Sequence, residues 1–408
     1  MNSHTLARPA AFTPLPRTAP AAARTALRLL QRLQVGTLHL QCPDGQVLAF
    51  GDGQAPHASL RLLGWGVCAA TLKSGDVGFG EAYVDGGWTS PDLAALLRLF
   101  LANREALDQA LYGRWWGALW HRLRHRMNRN SRAGSRRNIA AHYDLGNPFY
   151  RLWLDETMNY SSAWFAGDTG VPLAAAQQAK MRRALDACGL APGARLLEIG
   201  CGWGAVAELA VAERGLAVTG VTLSKEQLAF AQDRLARRGL VADLRLQDYR
   251  DIADPAFDGI VSIEMFEAVG REYWPQYFAN VRRLLKPGAR ACIQSITIRD
   301  DLFERYVRGT DFIQQHVFPG GLLPSPSAFR AAAREAGLAI VDELDFGPDY
   351  AETLRQWRRA FLAREPEVRA LGYDDAFVRL WEFYLAYCEA AFDAGSTSVM
   401  QFTLQRAA

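Results

Sequence analysis

From Leu173 onward, apolar residues recur first at helical spacing and then in short continuous runs, and the two patterns alternate. Helical "LAAAQQAKMRRALDACG" leads to strand "ARLLEIG", "WGAVAELAVAERG" to "LAVTGVTL", and "KEQLAFAQDRLARRG" to "ADLRLQD". Strand "FDGIVSIE", helix "PQYFANVRRLLKPG" and strand "ARACIQSITI" follow, with Gly or Pro-Gly expected as helix stops. Repeated βα units of this kind predict an α/β fold with a doubly wound, Rossmann-like parallel sheet. Residues 350–395 read as a helical insertion, and "TSVMQFTLQ" as a last strand that closes the sheet.

The first third of the chain has a different pattern. The β-like runs "GTLHLQCP" and "SLRLLGWGVCAATLKS" precede "PDLAALLRLFLANREALDQAL", which is helical by its apolar spacing. A small N-terminal α+β domain is therefore predicted over 26–112, with no catalytic cluster of its own. Residues 1–25 are Pro/Ala-rich without the continuous apolar segment of a secretory signal, and are expected to form a disordered arm.

Residues 113–141 are predicted to be a linker. Within it, 113–138 holds eight arginines, two histidines and three tryptophans and no acidic residue. Rings at headgroup depth with cations on anionic phosphates would suit a membrane surface. A solvated basic linker and a nucleic-acid contact share that composition. The overall charge of +3 does not choose among the three. No apolar run is long enough to span a bilayer. The six cysteines form no CxxC pair and have no histidine at ligand spacing, which argues against a zinc site and a disulfide framework, and no metal is expected. A cytoplasmic protein, peripheral at the inner face of the membrane, is the expectation.

"LLEIGCGWGAVAELA" places Glu198, Gly200, Gly202 and Gly204 at the first strand-to-helix turn, where a tight backbone and a close ligand leave no room for a Cβ. A dinucleotide site would read GxGxxG, with an acidic residue ending the second strand. Here the turn reads GxGxG, the second strand ends in Thr222-Leu223-Ser224, and no phosphate-cradling lysine is present. S-adenosylmethionine is favoured over NAD. Glu198 would anchor its amino-acid end, and Asp248 and Tyr249, after the third strand, would meet the adenine.

"HYDLGNPFYRLWLDETMNYSSAWF", "LEIGCGWG", "VTGVTLSKEQ", "FDGIVSIEMFEAVG", "FPGGLLPS" and "DFGPDYAETL" occur in the order in which the cyclopropane-fatty-acyl-phospholipid synthase family carries them. The chain resembles that family from His142 onward, which sets the expected catalytic domain at 142–408. The weaker "EAYVDGGWTSPDLAALLRLF" is similar to the N-terminal domain of its phospholipid-acting members. The resemblance implies a class I methyltransferase fold and methyl transfer from S-adenosylmethionine to a double bond of an unsaturated phospholipid acyl chain. It also implies that Tyr160 and Ser161 close over the cofactor, that Gly200, Gly202 and Gly204 line its methionine end, and that Thr222, Leu223 and Gln227 meet its ribose.

An alkene is a weak nucleophile, and the carbocation left by methylation is quenched by water, so the site must be dry and the charge must be stabilised. Tyr143, Phe149, Tyr150, Trp153, Tyr160, Trp164 and Phe165 offer aromatic faces, although core packing explains most of them equally well. Glu267, just after the fourth strand, is placed to stabilise the cation or help remove a proton; the plainer reading is a surface glutamate capping the next helix. In the family a bicarbonate ion serves as base, and the corresponding positions here are Ser162, Glu267, Gln294, Ile296 and Tyr350. Ser162 stands where cyclopropane synthases carry Cys, Gln294 where they carry His, and Ala268 where they have the His of "MFEH". Serine and glutamine still donate hydrogen bonds, but neither shuttles a proton as histidine does.

Bicarbonate is thus a doubtful cofactor. The cation can close a cyclopropane or leave as a methylene branch or shifted double bond, and these substitutions favour a methyl- or methylene-branched product over the ring. A small-molecule methyltransferase and an inert membrane-associated relative are the remaining alternatives. No nucleic-acid partner is expected. A homodimer and a redox partner enzyme are compatible with the reading.

Overall fold

A computed structural model describes residues 15–16, 18–111 and 145–408. The basic segment 113–138, His142, Tyr143 and most of the expected disordered arm lie outside them. The chain divides into two compact units. One is the described part of Met1–Leu119 with Tyr373–Ala394, the other the described part of Trp120–Gly372 with Gly395–Ala408.

The first unit carries a four-stranded sheet of β1 (Thr37–Gln41), β2 (Val47–Gly51), β3 (His57–Leu62) and β4 (Trp88–Thr89), in the order β2-β1-β3-β4. Helix Ala21–Leu30 begins inside the expected arm. Its alanines are strong helix formers, and Ala23 and Leu27, one turn apart, are buried. The run expected to be β-like after Ser59 ends as a strand at Leu62 and becomes helix Gly66–Val84, kinked at Gly75 with φ 60°. The single helix expected over "PDLAALLRLFLANREALDQAL" is two, Leu93–Ala102 and Arg104–Leu111.

Asn103 explains that break. Its buried amide accepts from the backbone N–H of Gln34 (2.7 Å) and Val35 (3.0 Å) and donates to the carbonyls of Val35 and Leu99. Helix Asp375–Asp393, which the sequence pattern groups with the catalytic domain, belongs to this first unit. The Tyr83 hydroxyl donates to Glu382, that of Tyr387 donates to Asp76, and Arg98 pairs with both Glu389 and Asp393.

The second unit is built on seven strands: β5 (Arg195–Ile199), β6 (Ala217–Thr222), β7 (Asp243–Leu246), β8 (Phe257–Ile263), β9 (Leu285–Ile298), β10 (Leu338–Asp345) and β11 (Thr397–Arg406). Their order is β10-β11-β9-β8-β5-β6-β7. β11 runs antiparallel to both neighbours, and the pairs from β9 to β7 are parallel. "TSVMQFTLQ" is therefore an inner strand, and β10, which the pattern does not single out, forms the edge. The helix before β9 ends at Leu284, and Lys286-Pro287-Gly288, expected to stop it, lies within the strand.

Helix Trp274–Leu284 packs one face of the sheet with Tyr277, Phe278 and Val281. Helix Leu173–Cys188 packs the other with Met181, Ala184 and Leu185. Strand order reverses between β5 and β8, which opens a crevice at their carboxyl ends, the usual ligand site of such sheets. No helix among the described residues is long and apolar enough to cross a membrane.

Asn103→Ala would leave the backbone N–H groups of Gln34 and Val35 without their side-chain partner. It is expected to cost the first unit about 2 kcal/mol, read as an earlier urea midpoint by a probe in that unit. An unchanged midpoint would show that water takes over these bonds.

Candidate active site

The glycine turn sits at the end of β5. Gly200, Gly202 and Gly204 all have positive φ. A Cβ on Gly204 would meet that of Ala231 at 2.8 Å, which sets how closely helix Lys225–Arg237 approaches. A Cβ on Gly202 would project into open space. Glu198 is buried, its Oε2 has no hydrogen-bond partner, and burial pushes its carboxyl up to about 8. At the end of β6 the Thr222 hydroxyl donates to Gln227 Oε1 at 3.1 Å, Leu223 is half-buried, and Ser224 caps the following helix. After β7, both Asp248 oxygens are held by Arg250, and Tyr249 packs edge-on against Tyr277.

The aromatic segment lies over this turn. The Trp203 indole N–H donates to Asn147 Oδ1 at 2.7 Å, and its ring meets Tyr150 at 5.1 Å. Half-buried Tyr160 sits among Tyr150, Trp153 and Trp357 at ring distances of 5.4, 5.4 and 5.5 Å. Phe149, Tyr150, Trp153 and Phe165 are core residues, and Trp164 is half-exposed. Helix Gly347–Ala363 holds the end of the segment: the N–H of Ala163 donates to Thr353 Oγ1, and that of Phe165 to Asp349 Oδ2.

Three of the five positions assigned to an anion converge on a residue that the motif reading leaves out, Glu264. The N–H of Ser162 donates to Glu264 Oε1 at 2.8 Å, the Gln294 amide to the same oxygen at 2.7 Å, and the Tyr350 hydroxyl to Oε2 at 2.8 Å. The Ser162 hydroxyl turns away, to the carbonyl of Ala163. Glu264 has φ +49°, a strained conformation for a side-chain-bearing residue, of the kind that clusters at functional sites. The other two positions form a second set, in which Glu267 Oε1 accepts from the Ile296 N–H and the Ser295 hydroxyl. Glu267 Oε2 is buried without a hydrogen-bond partner.

Burial and the neighbouring Glu264 push Glu267 up to about 8, so near neutrality it is protonated. Burial also raises Glu264, but Lys180, the Ser162 N–H, Tyr350 and Gln294 all oppose that rise. Glu264 is the carboxyl equipped to carry the charge. A faint signal for it exists in "SIEMFEAVG", two glutamates three apart at the carboxyl edge of the strand. Lys180, in "AQQAKMRRAL", is hidden in an otherwise ordinary helix.

The sheet order and the glycine turn define a class I methyltransferase, the fold that uses S-adenosylmethionine. A family model described as mycolic acid cyclopropane synthetase matches residues 130–402. Tuberculostearic acid methyltransferase UfaA1 of Mycobacterium tuberculosis is 40% identical over 97% of this chain and 95% of its own. The cyclopropane-fatty-acyl-phospholipid synthase of Escherichia coli K12 is 36% identical over 87% of this chain and 89% of its own. Among solved structures, mycolic acid cyclopropane synthase CmaA1 complexed with SAH and CTAB superposes with a TM-score of 0.62 at 34% identity, covering 66% of this chain and 98% of that one. The chain belongs to the mycolic acid cyclopropane synthetase family and is an S-adenosylmethionine-dependent methyltransferase.

The orphaned Glu198 oxygen and the open space at Gly202 fit that cofactor: a buried acceptor for an ammonium and a turn that a ligand can approach. Bicarbonate fits poorly, because Glu264 already takes the donors of Ser162, Gln294 and Tyr350.

Gly202→Val would place its side chain in that space. Titration calorimetry is expected to show S-adenosylhomocysteine binding weakened about tenfold or more. Unchanged affinity would remove Gly202 from the cofactor contact.

Proposed function

We propose that this enzyme methylates a double bond in an unsaturated acyl chain of a phospholipid and releases a methylene-branched chain rather than a cyclopropane, with Glu264 as the base. The observation that carries this reading is the Glu264 carboxylate held by the N–H of Ser162, the amide of Gln294 and the hydroxyl of Tyr350. When bound, S-adenosylmethionine supplies an electrophilic methyl group. Tyr160, Ser161, Gly200, Gly202 and Gly204 would hold its methionine side, with Glu198 on the ammonium. Thr222, Leu223 and Gln227 would meet the ribose, and Asp248 and Tyr249 the adenine.

The chain's own groups then govern the cation. The aromatic cluster around Tyr160 excludes water and offers ring faces to the positive charge. Loss of a proton from the new methyl closes a cyclopropane. If hydride first shifts from the methylated carbon to its neighbour, the charge moves to the branch point, and loss of a methyl proton leaves a methylene branch. Which exit wins depends on how quickly the base acts. Both Glu264 oxygens are engaged by these three donors, so taking the proton requires one of the bonds to give way, which leaves time for the shift to compete. Protonated Glu267 sits beside it as a neutral neighbour and adds no second negative charge.

Similarity over nearly the whole chain to a tuberculostearic acid methyltransferase supports the same outcome. A methylene branch becomes a methyl branch only through reduction, so a partner reductase would follow. The Trp/Arg-rich stretch 113–138 is the feature suited to reaching a membrane substrate.

The test is to incubate the enzyme with S-adenosylmethionine and vesicles of unsaturated phospholipid, then analyse the acyl chains by mass spectrometry after chemical reduction. A methyl branch after reduction is expected, whereas a reduction-resistant ring would mean cyclopropane synthesis. Glu264→Gln is expected to lose turnover about 100-fold or more while keeping S-adenosylhomocysteine binding. Only the ionised carboxylate is a base, and burial raises its pKa above the ordinary 4.5, so activity should fall as pH drops through that raised value. A rate flat down to pH 4.5 would exclude a buried carboxylate base.

A further inference from the structure

Lys180 has no part in the chemistry above, yet it is fully buried near the middle of helix Leu173–Cys188. An ammonium in such a place is costly unless it answers a negative charge. Its Nζ donates to Ser161 Oγ at 2.6 Å, and Gln177, one turn earlier, donates to the Ser161 carbonyl at 2.8 Å. The next residue, Ser162, gives its N–H to Glu264. From the other side Gln294 donates to Glu264, and Gln401 donates both to Gln294 Oε1 at 3.0 Å and to the Lys180 carbonyl at 3.1 Å. The bonds close a ring that starts and ends on Lys180 and passes through the carboxylate.

We propose that Lys180 is a positioning residue for methyl transfer: through Ser161 it fixes the 160–162 segment, and it provides the buried positive charge that keeps Glu264 ionised. The proposal rests on Glu264 being the base. The charged and titratable groups around that carboxylate are few. Helix 173–188 contributes Lys180, helix 347–363 contributes Tyr350, and the turn after β8 contributes Glu267. Asp155, in the aromatic segment, stands against Lys180, and Arg183 bonds Gln401 in the ring. β9 and β11 face the carboxylate with neutral Gln294 and Gln401. Burial lowers Lys180 to about 8 against the pull of Glu264 and Asp155, which leaves it cationic near neutrality.

A role confined to packing would be served as well by an apolar side chain, since replacing a buried charge with a hydrophobe of similar size is often neutral or stabilising. Lys180→Met separates the two roles. In the full-length enzyme it is expected to lower turnover, with the acid limb of the pH–rate profile moved up by about one unit or more, because Glu264 then ionises without its counter-charge. Lys180→Gln, which keeps a donor for Ser161 but no charge, should move the limb as far, and it carries the test if the methionine variant does not fold. Reduced turnover with the acid limb unmoved in either folded variant would overturn the proposal and leave Lys180 a packing residue. Failure of the underlying reading has a different signature: Glu264→Gln retaining native activity, whatever Lys180 does.

Discussion

A carboxylate held on both oxygens by donors from distant parts of the chain organises the catalytic unit. Half-buried Glu264 lies at the point where the order of the parallel strands reverses, and its two oxygens are held by an N–H, an amide and a hydroxyl. Each donor comes from a different part of the chain: the aromatic segment, strand β9 and helix Gly347–Ala363. Satisfying one charge therefore fixes three elements relative to β8. A charge left unpaired there would cost several kcal/mol, so sheet, overlying segment and helix Gly347–Ala363 must assemble together.

The aromatic segment carries the same logic to the cofactor crevice. It is tied to the glycine turn by Asn147 and Trp203 and to helix Leu173–Cys188 by Ser161, and its rings pack on one another and on Trp357. The outcome is a packed aromatic wall beside the crevice, suited to chemistry through a carbocation. The two carboxyls near it are distinguished by their surroundings. Glu264 has donors and a lysine, whereas Glu267 has the anion of Glu264 beside it and stays protonated, which is how two like groups take separate roles in one site.

Much of this was legible in the sequence, and what was not has physical causes. The βα alternation was readable because each parallel strand is a continuous apolar run bounded by glycine. The N-terminal helix Gly66–Val84 was misread as β-like because "GWGVCAATLKS" lacks a clear helical stripe. The break at Asn103 was invisible because its cause is a set of bonds to residues 34 and 35. Helix Asp375–Asp393 looked like part of the catalytic insertion, and nothing local says that its polar residues pair with Asp76, Tyr83 and Arg98. At the site, motif matching assigns Ser162, Gln294, Tyr350, Glu267 and Ile296 to one anion site but does not show that Glu264 takes the donors of the first three. Lys180 was hidden for a similar reason. One lysine in a helix reads as surface until the fold shows it buried.

If Glu264 is the base, the reaction needs no dissolved bicarbonate. The most direct measurement is turnover on unsaturated phospholipid vesicles in buffer purged of carbon dioxide, compared with the same buffer after bicarbonate is added back. With Glu264 as the base, the two rates should coincide. A rate that collapses on purging and returns with added bicarbonate would contradict the claim.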